Sequence, residues 1–303
     1  MENNYWIVDD LIIFKPEFNE ELINYYDIIN KYQKIIFSNY DKLEIMIETN
    51  NEWINKYDNN FIKNKFNQLI DLSNNIHLIH LIFGDQFNNE INLSNNINLT
   101  HLTFGCVFNK KLDLSNNINL THLTFGFCFN QEINLSNNIH LTHLTFGIYF
   151  NQEIDLSNNI HLTHLTFGYK FNQEIDLSNN IHLTHLTFRE DFNQEIFIPL
   201  NVKSLTMVYC DNQYIIDNLY NNIEELTIID SNLNLDNLPN SIKKLTIKFH
   251  KEKLNNLPNS IEYLELNNYK LKIKKIPKNL KIIKCHNHYK YIDDFKNYEV
   301  IYY

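Results

Sequence analysis

The sequence predicts a repeat solenoid, mainly β, in which short coils stack into a curved parallel sheet. The first observation is a period. Phe-Asn recurs at Phe66, Phe87, Phe108, Phe129, Phe150, Phe171 and Phe192, always 21 residues apart, and the phrase between is nearly FNQEIDLSNNIHLTHLTFGxx. A unit this short cannot bury its own apolar side chains, so each coil must lie against its neighbours. The second observation is the two-residue alternation in segments such as Leu78-x-x-Leu81-x-Phe83, the period of a strand.

One coil explains the rest. Leu81 and Phe83 point inward, His80 and Ile82 outward. In later coils the outward pair is His-Thr: His101 and Thr103, His122 and Thr124, His143 and Thr145, His164 and Thr166, His185 and Thr187. Gly84, Gly105, Gly126, Gly147 and Gly168 follow the strands, where a turn with positive φ would bend the chain off the sheet. The inward Phe of Phe-Asn comes next, then Ile91 and Leu93 as a second extended piece. Ser94-Asn95-Asn96 has turn chemistry, and Ile97 and Leu99 lead into the next strand. Seven apolar residues per coil then fill the core, each contributing about 1.5–3 kcal/mol when fully buried. Asn88, Asn109, Asn130 and Asn151 are placed to bond backbone groups of adjacent coils.

Beyond Leu186 the strand position steps by 19, 21, 19, 19 and 19 residues to Leu205, Leu226, Leu245, Leu264 and Ile283. The returning arc is shorter there. Leu93 to Leu99 spans six residues, Leu238 to Ile242 only four, with Pro239 fixing an extended backbone. Eleven strands result, and about 4.8 Å per strand makes the sheet roughly 50 Å long. Residues 1–60 read as a small α-rich cap, with a helix from Glu20 to Tyr32, a strand at Lys34–Phe37 and a second helix from Asp41 to Tyr57. Residues 61–195 are the regular array, 196–285 a divergent array, and 286–303 a C-terminal cap. An open solenoid needs such caps.

Charge narrows the partner. Residues 66–195 carry 12 acids and 4 bases, whereas 196–303 carry 12 and 15. Duplex nucleic acid is a poor match for the regular array. The lysines at 270, 272, 274, 275, 278, 281 and 284 read as a solvated face before they read as an anion site. Cys106, Cys128, Cys210 and Cys285 have no paired spacing, and no apolar run is long enough for a signal or membrane segment. These features predict an intracellular, disulfide-free monomer with no membrane partner.

The phrase resembles the FNIP repeat, a leucine-rich-repeat-like family of social amoebae and of giant viruses that infect amoebae. The resemblance rests on Phe-Asn-Gln at Phe129, Phe150, Phe171 and Phe192, on Leu-Pro-Asn-Ser-Ile at Leu238 and Leu257, and on the Leu-Thr-Phe-Gly strand ends. It covers 66–195 closely and 196–285 more loosely. Glu132, Glu153, Glu174 and Glu195 stand where the family usually has proline. The resemblance implies an interaction module with a protein partner, a host protein in the host cytoplasm where the chain is viral. Some viral relatives carry an F-box ahead of the repeats, which would make residues 1–60 the ligase-recruiting part of a ubiquitin-ligase adaptor. Ile7-Val-Asp-Asp-Leu-Ile-Ile-Phe14 is the nearest, weak candidate for such an opening.

No catalytic constellation stands out, because a triad needs unlike residues in one place and this array offers like residues in rows. The expected function is a non-enzymatic protein-binding scaffold, its contact residues the five His-Thr pairs named above. His80 and a second set, His77, His140, His161 and His182, extend the imidazole rows. No carboxylate that would orient these rings as metal ligands is identifiable. Cys285, His286 and His288 lack a matching half-site, so no metal or cofactor is expected. Exposed histidines would charge near their reference pKa of about 6.5, which predicts weaker binding or stability between pH 7 and 5.

Overall fold

The computed structural model describes residues 4–39 and 64–303. They belong to two compact units, Met1–Ile160 and His161–Tyr303. Each is a leucine-rich-repeat-like β-solenoid.

The first unit opens with an antiparallel hairpin of β1 (Tyr5–Val8) and β2 (Leu11–Phe14). From β2 onward all pairing is parallel: β3 (Lys34–Phe37), β4 (His80–Ile82), β5 (His101–Thr103), β6 (His122–Thr124) and β7 (His143–Thr145) follow in chain order. The register pairs like with like: Leu81 beside Leu102, Leu102 beside Leu123, Leu123 beside Leu144. Two phenylalanines per coil stack on those of the next. Phe104 and Phe125 have centroids 5.9 Å apart, Phe108 and Phe129 6.1 Å, and the pair within one coil, Phe104 and Phe108, 3.8 Å. All four rings are buried.

The second unit continues the pattern through β8 (His164–Thr166), β9 (His185–Arg189), β10 (Ser204–Val208), β11 (Glu225–Ile229), β12 (Lys244–Lys248), β13 (Tyr263–Asn267), β14 (Ile282–Cys285) and β15 (Glu299–Tyr302). Its strands lengthen from three residues to five at β9. Tyr209, Asp230, Phe249 and Asn268 then turn the chain with φ of 46–57°, the left-handed conformation that non-glycine residues adopt at a cost. The second phenylalanine column ends at Phe192; buried Cys210, Ser231, His250 and Tyr269 come at the corresponding turns. A helical turn between β14 and β15, Ile292–Phe295, buries Phe295.

Three expectations need correction. The described N-terminal residues are not predominantly helical: eight, Leu22 to Ile29, form helical turns, and twelve form strands. Leu11-Ile-Ile-Phe14 and Lys34-Ile-Ile-Phe37 join the sheet as unbroken apolar runs, each buried at its last three residues where the coil strands alternate. The weak F-box candidate is this hairpin. The expected helix from Asp41 to Tyr57 lies outside the described residues.

The glycines do not have positive φ. They are needed because coils touch there: a Cβ on Gly105 would lie 2.2 Å from the Gly84 carbonyl oxygen, and one on Gly126 2.0 Å from that of Gly105. Nor are seven apolar residues per coil interior. Ile76, Ile97, Ile118, Ile139 and Ile160 are 41–51 % exposed in the first unit. The inward position of that arc belongs instead to Asn75, Asn96, Asn117, Asn138 and Asn159, all fully buried. The Asn96 side-chain amide donates to the carbonyls of Leu72 and Asn75 in the preceding coil, at 3.0 and 2.8 Å, and Asn117 repeats this to Leu93 and Asn96. Each of these carbonyls also accepts a backbone N–H within its own turn, as Leu93 O does from Asn96 N at 3.0 Å, so the amide fills a second lone pair and ties one coil to the next.

Candidate interaction face

The outward side of β5–β7 is laid out by strand alternation, with His101, His122 and His143 in one column and Thr103, Thr124 and Thr145 in the next. No Asp, Glu, Lys or Arg lies in β4–β7. In the second unit His164 and His185 pair likewise, beside Thr166 and Thr187. The threonine column runs on through Thr206, Thr227 and Thr246, which the repeat phrase alone did not reveal.

The histidines are held more firmly than a passive surface row. Ring centroids are 4.0 Å apart for His80–His101, 4.2 Å for His101–His122, 4.3 Å for His122–His143 and 4.1 Å for His164–His185. Each ring from His101 to His185 also meets the hydroxyl of the residue before it. Nδ1 lies 2.8–2.9 Å from Oγ1 of Thr100, Thr121, Thr142, Thr163 and Thr184 respectively. These threonines were not candidates from sequence, although the recurring Thr-His dipeptide was their signal. The rings are half-buried except His185, which is exposed.

Burial sets the charge state. His101 is pushed down to about 4, chiefly by desolvation, with His80, His143 and Lys34 adding repulsion. His80 is lowered by burial and then by Lys34, against the pull of Asp10. The sequence-based expectation of charging between pH 7 and 5 assumed open exposure, and at His101 the desolvated ring overturns it.

The second histidine set is exposed on the arc; His161 and His182 stack at 5.8 Å. Asn88, Asn109 and Asn130 behave as expected: each Oδ1 accepts the backbone N–H of the corresponding Asn one coil on, at 2.9 Å. The cysteine–histidine cluster does not converge, since Cys285 is buried inside β14 while His288 is exposed. Among the described residues, no group of three or more His, Cys, Asp or Glu is placed to hold a metal ion. Within the lysine-rich stretch, Lys272 pairs with Asp294 at 3.3 Å, Lys281 with Glu262, and Lys284 with Glu265 at 4.0 Å. Among the described residues no helix is long and apolar enough to cross a membrane.

No family model matches the chain, and no curated protein does. Solved structures do. The crystal structure of CroV588, described as a novel circular LRR protein, aligns with 94 % of this chain at 29 % identity and a TM-score of 0.62. The chain spans 51 % of CroV588. An internalin, InlF from Listeria monocytogenes, aligns with 78 % of this chain and 77 % of its own at 17 % identity and a TM-score of 0.53, a likeness of fold.

Proposed function

We propose that this chain is a non-enzymatic protein-binding solenoid of the FNIP type, which presents the His/Thr face of its sheet to a partner. The observation that carries the reading is the face itself: columns of half-buried, mutually stacked imidazoles beside a column of threonines, without a fixed charge in β4–β7. Such a face costs little desolvation when covered, because no ion must be stripped of water. The leucine-rich-repeat-like fold of CroV588 and InlF supports the scaffold reading. The partner proposed is a protein met inside the cell, host protein if the chain is viral, bound by a monomer.

Crosslinking capture from the native host cell tests this. Replacing His101, His122 and His143 together by Ala should leave the folded far-UV spectrum unchanged and remove the captured partner. Undiminished capture would reject this face. No observation on residues 4–39 favours the ubiquitin-ligase adaptor, since those residues are built as a hairpin and a coil of the array.

A further inference from the structure

Single exposed apolar side chains are ordinary on a protein surface, but an unbroken column of them marks a contact site. Ile76, Ile97, Ile118, Ile139 and Ile160 stand one per coil on the arc of the first unit, 41–51 % exposed. The coils are in register there: the Asn98 side-chain amide donates to the Ile76 carbonyl and that of Asn119 to the Ile97 carbonyl, both at 2.9 Å. The five side chains therefore form a ridge one residue wide, with steps of about 4.8 Å and a length of about 19 Å. Five residues before three of them, Asp71, Asp113 and Asp155 form a second column. Each carboxylate accepts the backbone N–H of the serine two residues on, at 2.9 Å, which lowers its pKa and holds it ionised. Asn92 and Asn134 take the alternate places with the same bond.

We infer that this isoleucine ridge docks a basic amphipathic helix of a partner protein, on a surface separate from the His/Thr face. Spacing selects the helix. Its apolar stripe returns once per turn, about 5.4 Å, so four turns follow four steps of the ridge to within about 3 Å. An extended strand presents the same face only every two residues, about 6.6 Å, and loses register within two or three coils. Charge selects the sign. A helix about 10–12 Å across lying on the isoleucines brings its flank over the aspartate column, where lysine and arginine meet carboxylates fixed in place. Residues 64–160 carry seven acids and three bases, a field that draws a cationic segment toward this unit. A second copy of the chain is the poorer occupant, because it would set the same aspartate column against itself.

The test titrates three fluorescent peptides of about 18 residues, five helical turns, with the whole chain at neutral pH. One is an amphipathic Leu/Lys helix, one its scramble with the stripe broken, and one a Leu/Glu helix with the stripe kept. The Leu/Lys helix should bind, and the other two should bind about tenfold more weakly or worse. Ile97→Ser, Ile118→Ser and Ile139→Ser together should leave the far-UV spectrum unchanged and weaken the Leu/Lys helix about tenfold. Where the triple variant alters the spectrum, Ile118→Ser alone, at a position 50 % exposed, should weaken binding in the same direction. Asp113→Asn with Asp155→Asn should also weaken it and flatten its salt dependence. Replacing His101, His122 and His143 by Ala should leave this affinity unchanged, so failure of the ridge and failure of the His/Thr face are read separately. Equal binding of the scramble or the Leu/Glu helix, full affinity in the isoleucine variants, or lost affinity in the histidine variant would each overturn the inference.

Discussion

Changing Gly126 to alanine separates two accounts of the repeat glycines by the sign of its effect. Gly126 does not have positive φ, so backbone conformation alone makes Gly126→Ala stabilising by about 0.4–1 kcal/mol, through a stiffer unfolded chain. The coil seam says the opposite. The new Cβ would lie 2.0 Å from the Gly105 oxygen, 2.4 Å from its carbonyl carbon and 2.9 Å from the Cys106 nitrogen. These are backbone atoms, with no flexible side chain to swing aside, so the two coils must part locally by more than 1 Å. Two interchain-like bonds cross that seam: Phe104 N–H to Thr124 O at 2.9 Å and Cys128 N–H to Cys106 O at 2.8 Å. Each buried pair left unmade costs about 1–3 kcal/mol. Subtracting the unfolded-state gain leaves a net destabilisation of about 1–5.5 kcal/mol. Urea unfolding of the wild type and Gly126→Ala measures it. A variant with an equal or higher midpoint would refute the close-approach explanation.

The buried asparagines give a second contrast: Asn117→Ala removes two buried hydrogen bonds, to the Leu93 and Asn96 carbonyls, and should lose about 2 kcal/mol. Asn116→Ala, which loses one exposed bond to Ser94, should stay within about 0.5 kcal/mol; equal losses by urea unfolding would discredit the ladder. Acid should weaken the first unit through His101. Its folded pKa, about 4, lies below the unfolded value of about 6.5, so its contribution is complete above 6.5 and is lost as pH falls toward 4. Melts that are flat from pH 6.5 to 4 in wild type and His101→Gln alike would argue against a desolvated ring. In the second unit His250 is 3 % exposed, with Ser231 Oγ 3.3 Å from Nδ1, and burial lowers its pKa against the pull of Glu252 and Asp211. His250→Leu should therefore melt higher than wild type at pH 5 relative to their difference at pH 8, and no change in that difference would remove His250 as an acid-sensitive group.

The strand positions were legible because two-residue alternation and a fixed step are one-dimensional signals. Leu81 through Ile283 all fall in strands, and the inward phenylalanines of Phe-Asn are buried. Ile97 misled because apolar character alone gives no direction within a turn, and its neighbour Asn96 takes the interior to answer carbonyls that only stacking turns inward. The His and Thr columns were visible as columns. The hydroxyl contacts beneath them were not, since Thr100, Thr121 and Thr142 reach the coil before them, 21 residues away in sequence.

From its residues alone this chain was bound to coil at a 21-residue pitch, place leucine and phenylalanine inside, and line up histidine and threonine outside. Those outcomes follow from periodicity, which a linear string carries in full. Why glycine is required, which asparagine is buried and which carbonyl lies beneath each threonine hydroxyl were settled only by folding. Each depends on a distance of 2–3 Å between atoms in successive coils, and such distances exist only once the coils lie against one another.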